Sequence, residues 1–382
     1  MLSIILIAIL LILLHNLRPI ENFVPSTLKY RQPFLLPLFQ DCLLLSGDFQ
    51  THTVFSDGHV WPTFRVDEAW INGLDVLAIT DHHNFFTRKK HVKVSNLNQS
   101  YNSAKKMAKK MEITLIKGLE WTGFRPPIHC NILFITNANK YKNTTLYEAL
   151  IEAKRQKAFV IWNHPCGHLG AGDKVLLYPD VIKYVKQGLI HGVEVMTLRQ
   201  NCHQILDFAN TYNLTVFGNS DIHRSQQISV NNKPPRTLIF SKTQHKESIQ
   251  EALVSGNTLA YGFNMLYGKE TLIKKLFLGA IFINNPRQKY KKSLTVEIQN
   301  TSSIPFQLHS NSNYPYIQLE KNFTIKENAL SILPIKIYTN FQEKNILLSF
   351  TILNSYSTST KKTEIKFNLK IKKNTVTISS AY

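Results

Sequence analysis

The chain lacks most of the features that would assign it at once. It has only 4 cysteines in 382 residues, at Cys42, Cys130, Cys166 and Cys202, and no Cys-x-x-Cys pair. That excludes thiolate zinc modules and the dense disulfide framework of a small secreted domain, and it predicts four free thiols. The N-terminal apolar run, Leu2 to Leu14, has 13 residues, short of the roughly 20 needed to span a bilayer comfortably. No basic helix, aromatic ribonucleoprotein motif or zinc-finger spacing accompanies the net charge of +20, so the charge is not a nucleic-acid footprint. From Tyr261 onward 17 Lys and Arg face 6 Asp and Glu, spread along strand-like segments. They read as a solvated surface, with attraction to phosphorylated or membrane-surface anions as the alternative.

What is present is long enough for one large domain and a smaller one. The apolar N-terminal run fits the hydrophobic region of an export signal or an uncleaved anchor, although no basic residue precedes it and no small-x-small site follows. The expectation is therefore an exported protein, periplasmic or attached to a membrane through residues 1–43. Within that stretch Pro19, Pro25, Pro33 and Pro37 suggest an extended linker. From about residue 44 short apolar runs alternate with helical stretches, which is the pattern of an α/β domain. Strands are expected at 42–49, 74–80, 113–120, 130–136, 158–163, 192–197, 214–219 and 236–241. So many strand–helix units suggest a barrel more than an open sheet.

Past residue 265 the pattern changes. Residues 266–289 read as a linker. From 290 to 375 segments such as "SLTVEIQN", "ILPIKIYT" and "TEIKFNLKIK" alternate polar and apolar residues between Ser, Asn, Thr and Pro. They predict a small antiparallel β-sandwich with a structural or docking role.

Chemistry-bearing residues collect at the expected strand ends of the first domain. Strand one runs into "DFQTHTVFSDG", with Gln50, His52 and Asp57, and the second into "ITDHH", with His82. Glu120 ends the third and His129 precedes the fourth. His164 follows the fifth in "WNHP", and the seventh runs into "GNSDIH", with Asp221 and His223. A single strand-end histidine is usually a satisfied structural residue. So many imidazoles and carboxylates in one place would repel or stay unsatisfied without a cation. Such ligands without cysteine suit two or three divalent ions, Zn, Mn or Fe. A bridging carboxylate such as Glu120 allows a cluster, and clustered ions activate water for phosphate-ester hydrolysis.

The motifs "THTVFSDG", "GLDVLAITDHH", "GLEWTG", "HCN", "WNHPCG" and "GNSDIH", in this order over residues 44 to 265, resemble those of the PHP (polymerase and histidinol phosphatase) family. The flanking sequences and the β-rich tail are similar to an exported bacterial phosphodiesterase subgroup, the Sb-PDE type. The resemblance implies a distorted (β/α)7 barrel with a trinuclear metal site. Gln50, His52, Glu120 and Asp221 would hold the first metal. Asp57, His82 and His223 would hold the second, and Glu120, His129 and His164 the third. Glu120, Asp221 and His223 would serve the catalytic step. Gln50 departs from the pattern, since the family has a histidine there. Its neutral oxygen is a weak ligand, which predicts a weak first metal position with the other two competent.

The implied activity is hydrolysis of a phosphodiester or phosphomonoester of a small molecule, with no specific nucleic-acid partner. The alternative is a degenerate barrel kept as a binding or structural protein. Amidohydrolase chemistry would need a lysine at a mid-barrel strand end, and none stands there. Arg125, Arg224 and Lys89 follow ligand-bearing strands and are candidates for neutralising a phosphate. Cys166 and His168 are expected to line the pocket, and Glu194 to orient a ligand. His83 is expected to point away from its neighbour.

Overall fold

The computed structural model describes residues 30–167, 174–225, 234–290, 293–338, 343–372 and 375–380. The apolar run Leu2–Leu14 and His168 lie outside the described residues. Among those described, no helix is long and apolar enough to cross a membrane. The chain divides into two compact units, Met1–Pro33 with Leu45–Phe263, and Phe34–Leu44 with Asn264–Tyr382.

All eight expected strands of the first domain are present: β1 (Leu43–Asp48), β2 (Val76–Ile79), β3 (Thr114–Thr122), β4 (His129–Leu133), β5 (Phe159–Asn163), β6 (Gly192–Met196), β7 (Thr215–Gly218) and β8 (Arg236–Ser241). A ninth strand, β9 (Thr258–Gly262), follows. They hydrogen-bond in the order β9-β8-β1-β2-β3-β4-β5-β6-β7. Neighbours β1, β2 and β3 run parallel, as do β5, β6 and β7. Strand β4 is antiparallel to both β3 and β5, and β8 to β9. The sheet is therefore mixed and strongly curved rather than a uniform strand–helix repeat.

Alternation along each strand divides the apolar residues between two cores. On β2, Val76 and Ala78 face inward with Leu45, Phe49, Ile116 and Phe217. Leu77 and Ile79 face outward, against Val66, Tyr101, Ala104 and Ala108. These outer partners belong to the helices Pro62–Ile71 and Gln99–Lys110. Further helices span Leu146–Arg155, Pro179–Lys186, Leu206–Thr211 and Lys246–Val254. The curved sheet meets itself beyond the strand ends. Thr51, past β1, forms a parallel bridge with Ile222, past β7, and the His52 amide donates to the Ile222 carbonyl at 3.1 Å.

The second unit contains β10 (Met265–Gly268), the helix Glu270–Ala280, β11 (Ile281–Tyr290) and β12 (Ser293–Asn300). The stretch 266–289, expected as a linker, is thus ordered structure. The helix buries Ile273, Leu276, Phe277 and Ala280 on one face. Next come β13 (Phe306–Ser310), β14 (Ile317–Leu319), β15 (Asn322–Ile325), β16 (Leu330–Ile337), β17 (Glu343–Ile352), β18 (Ser355–Tyr356), β19 (Thr363–Lys372) and β20 (Thr375–Ser380). They build antiparallel sheets of order β11-β12-β16-β14 and β15-β13-β17-β19-β20. Strict alternation of exposed and buried residues along β16 shows one face turned to an apolar core. Part of the expected N-terminal linker belongs to this unit. The Leu35 amide donates to Ser303 Oγ at 2.9 Å, and Lys275 pairs with Asp41 at 2.7 Å.

Candidate metal centre

The imidazoles and carboxylates expected at the strand ends converge on one buried cluster. His52, Asp57, His82 and His223 present ligand atoms within 4.8 Å of one another, and so do Glu120, His129 and His164. Glu120, at the end of β3, is the hub. Its Oε2 lies 3.1 Å from His82 Nδ1 and 3.4 Å from His52 Nε2, and its Oε1 lies 3.1 Å from His129 Nδ1. Asp57 sits between His82 Nε2 at 3.5 Å and His223 Nε2 at 3.1 Å. Asp221 Oδ1 is 3.2 Å from His52 Nε2. The second and third ligand trios implied by the resemblance are therefore each assembled, and His52 stands with the second.

Local backbone explains how the ligands reach this point. His164 and Asp221 both adopt left-handed backbone, at φ 50 and φ 53, a conformation a non-glycine residue keeps only when its surroundings enforce it. Asp81 ties down the loop after β1. It accepts from the Thr53 amide and hydroxyl, both at 2.7 Å, and from Ser56 Oγ at 2.6 Å. Gly58 lets that loop fold back beside Asp57, because a Cβ there would lie 2.5 Å from the His52 carbonyl carbon. Arg65, fully buried on the helix Pro62–Ile71, joins the ligand loops. Its Nε donates to the His52 carbonyl at 2.9 Å, Nη1 to the Arg224 carbonyl at 2.8 Å and Nη2 to the Ile222 carbonyl at 3.3 Å. Glu68 balances its charge.

Glu194 acts as expected on a ligand. Its Oε2 lies 2.9 Å from His164 Nδ1 and accepts from the His164 amide, which turns the opposite ring nitrogen toward the cluster. His83 is buried away from the cluster, stacked on Trp121 with ring centroids 5.6 Å apart. Burial pushes its pKa down to about 4, so it is neutral.

The electrostatics are those of charges held together without water. Burial alone would raise the Glu120 pKa, but the charges of His82 and His129 outweigh it and hold the carboxyl well below its usual range. Burial opposes the charged forms of His82 and His164 as well. The carboxylates Glu120 and Asp57 beside His82, and Glu194 and Asp221 beside His164, nevertheless raise both to about 9. His52 is the exception among the described residues. It is fully buried, neither ring nitrogen has a hydrogen-bond partner, and three carboxylates lie 3.6, 3.4 and 3.2 Å away. An imidazole left so among carboxylates offers one ring nitrogen to a divalent cation, and the carboxylates complete the donor set. The residues fit such ions.

Gln50 is fully buried in the same cluster. Its Nε2 lies 3.3 Å from Glu120 Oε1 and 3.1 Å from His164 Nε2, while its Oε1 has no hydrogen-bond partner. The amide thus aims its donor, not its oxygen, at two groups expected to be ligands.

Above the cluster opens a cleft of about 190 Å³, lined by Asp57, His82, Phe85, Glu120, Thr122, Phe124, His129, His164, Arg199, Asp221 and His223. Among the described residues, the basic side chain lining it is Arg199, in the loop after β6, a residue missed in sequence. Arg125, Arg224 and Lys89 are exposed and outside that lining. Cys166 does not line the cleft and is not a free thiol. It forms a disulfide with Cys202, with Cα atoms 5.9 Å apart. Because β5 and β6 are parallel neighbours, the loops leaving them run side by side, and residues 36 apart come within bonding reach. Cys42 and Cys130 are free.

Comparison with known proteins agrees with this geometry. Residues 48–158 match the family model of the PHP domain, and residues 281–368 that of an Ig-like domain. A crystal structure from Bacteroides vulgatus ATCC 8482 is described as a two-domain protein containing a predicted PHP-like metal-dependent phosphoesterase. It superposes with a TM-score of 0.82 at 28% identity, covering 90% of this chain and 100% of that one. A candidate metal-dependent phosphoesterase from Bifidobacterium adolescentis ATCC 15703 matches at 17% identity with a TM-score of 0.39, over 55% of this chain and 96% of that one. The latter resemblance is too loose to bear on function. No curated protein matches the chain.

Proposed function

We propose, from the premise that this chain carries a PHP domain, that its cluster binds two divalent cations and hydrolyses a phosphate ester of a small molecule. The observation that carries this reading is the convergence of imidazoles and carboxylates around His52, whose buried ring nitrogens are left without hydrogen bonds. Asp57, His82 and His223, joined by His52, would hold one ion, and Glu120, His129 and His164 the other. When bound, such a pair would supply an activated water and charge stabilisation for phosphoryl transfer.

The chain's own residues do the rest. Arg199 offers the substrate phosphate a counter-charge at the mouth of the cleft. Glu194 fixes the His164 ring, and Arg65 fixes the backbone that carries His52 and the residues around Asp221. The cleft's volume of about 190 Å³ suits a small phosphomonoester or diester. The Cys166–Cys202 disulfide supports export to an oxidising compartment.

Gln50 limits the count to two. It stands in the set His52, Glu120 and Asp221 that the resemblance gives the first metal, and its neutral amide, 3.3 Å from Glu120 Oε1 and 3.1 Å from His164 Nε2, is a poor substitute for a ligating imidazole. A hydrogen-bonded amide there is a neutral substitute for a charge. The same residue motivates the rival reading, a barrel that has lost turnover and kept binding. Elemental analysis of the purified protein, with turnover of a generic phosphomonoester and diester, separates the two. Two bound equivalents with hydrolysis are expected, and metal-free, inert protein would overturn the enzymatic reading. The variant Gln50→His should gain about one further equivalent of metal, as read by elemental analysis.

A further inference from the structure

The cleft above the cluster has two unlike walls. On the His223 side stands Arg199, close enough for its charge to act on that imidazole. On the His82 side stand Phe85 and Phe124. The Phe85 ring packs edge-on against His82 at 5.7 Å and against Phe124 at 6.3 Å. Phe124 is 63% exposed although it lines the cleft. Single exposed apolar residues are ordinary. A contiguous aromatic pair at the mouth of an otherwise ionic site is not, because its bare ring surface stabilises nothing in the fold. It is in place to cover an apolar surface brought by a ligand.

We infer that Phe85 and Phe124 form a leaving-group subsite, and that the substrate is a phosphate ester of a ring-bearing, aromatic alcohol. This rests on the phosphoesterase reading and adds the class of ester. The phosphate lies over the ligand cluster beside Arg199, and the ring lies against the exposed face of Phe124 in an offset or edge-to-face arrangement. In the hydrolysis a water oxygen forms a bond to phosphorus as the bond to the alcohol oxygen breaks. The water gives up a proton and the leaving oxygen takes one, so aromatic alcohol and phosphate are released.

Phosphonates, whose P–C bond resists hydrolysis, separate binding from turnover. Titration calorimetry of the metal-loaded protein should show benzylphosphonate binding about tenfold more tightly than ethylphosphonate, the scale of one aromatic stacking contact. In Phe124→Ala, which removes an exposed side chain and leaves the fold intact, the preference should shrink to about twofold with ethylphosphonate affinity unchanged. Equal affinities in the unaltered protein, or a preference that survives Phe124→Ala, would overturn the subsite. Preferential binding without hydrolysis of any phosphate ester would uphold the subsite and refute the proposed activity. Failure of both phosphonates to bind would refute both.

Discussion

Glu120 receives contacts from His52, His82 and His129, along with amide donors from Gln50 and Asn163. Protons and cations compete for the nitrogens around it. With His82 and His164 raised to about 9, both are protonated at pH 7.5 in the cation-free chain. A ring nitrogen must shed its proton to accept a cation. Metal uptake at pH 7.5 should therefore release at least one proton, seen as a binding enthalpy that depends on the ionisation enthalpy of the buffer. An enthalpy independent of buffer would contradict the ligand roles of these two histidines. Their contribution to the stability of the cation-free fold is complete below their usual 6.5 and disappears as pH rises through about 9. Arg65 makes a different point. The ligands were legible because His, Asp and Glu at strand ends have few other uses, whereas one arginine in "FRVDEAW" looks like any helical surface residue. Its role depends on burial and on carbonyls 13 to 159 positions away. Arg65→Ala should destabilise the protein by about 3–5 kcal/mol, since Glu68 is then buried without its partner. Denaturant midpoints would measure that, and Arg65→Lys should recover only part, because one ammonium cannot serve three carbonyls and a carboxylate.

Strands were easier to foresee than their direction. The eight expected in the first domain carry runs of Val, Ile, Leu and Phe that little else would use. The helix Pro179–Lys186 has no decisive sequence period, because its 8 residues, including Val181, Ile182, Tyr184 and Val185, read equally well as a strand. The antiparallel course of β4 was hidden because a strand's sequence does not state its direction. The loop 123–128 simply returns the chain beside β3, with the Gly123 amide donating to the Ile128 carbonyl. The disulfide is likewise a consequence of topology, since only the adjacency of β5 and β6 brings Cys166 to Cys202. It fastens the loop behind His164 to the loop behind Arg199. Closing a loop of 36 residues restricts the unfolded chain, and the double variant Cys166→Ala, Cys202→Ala should lose about 3–4 kcal/mol. The unaltered protein should lose a similar amount on reduction, and unfolding curves unmoved by reductant would argue that the pair does not form.

At the scale of the whole molecule, a cation that binds only the folded chain stabilises it by mass action, by about 2.7 kcal/mol at a hundredfold excess over its Kd. Chelation should therefore lower the thermal midpoint and added divalent metal restore it, while a midpoint indifferent to chelator would rule out tight sites. The ligands responsible span His52 to His223, and the chain segments that carry the first and last of them meet where the curved sheet closes on itself. There the Asp221 amide donates to the Gln50 carbonyl at 3.1 Å and the His52 amide to Ile222. A chain emerging from the ribosome has made Gln50 and His52 long before the residues that complete their surroundings. Until His223 has followed, well over half of the sequence exists without the pocket that could capture an ion. Loading is consequently a late event in the life of each molecule, and a truncated product ending short of Asp221 would leave the ribosome empty-handed.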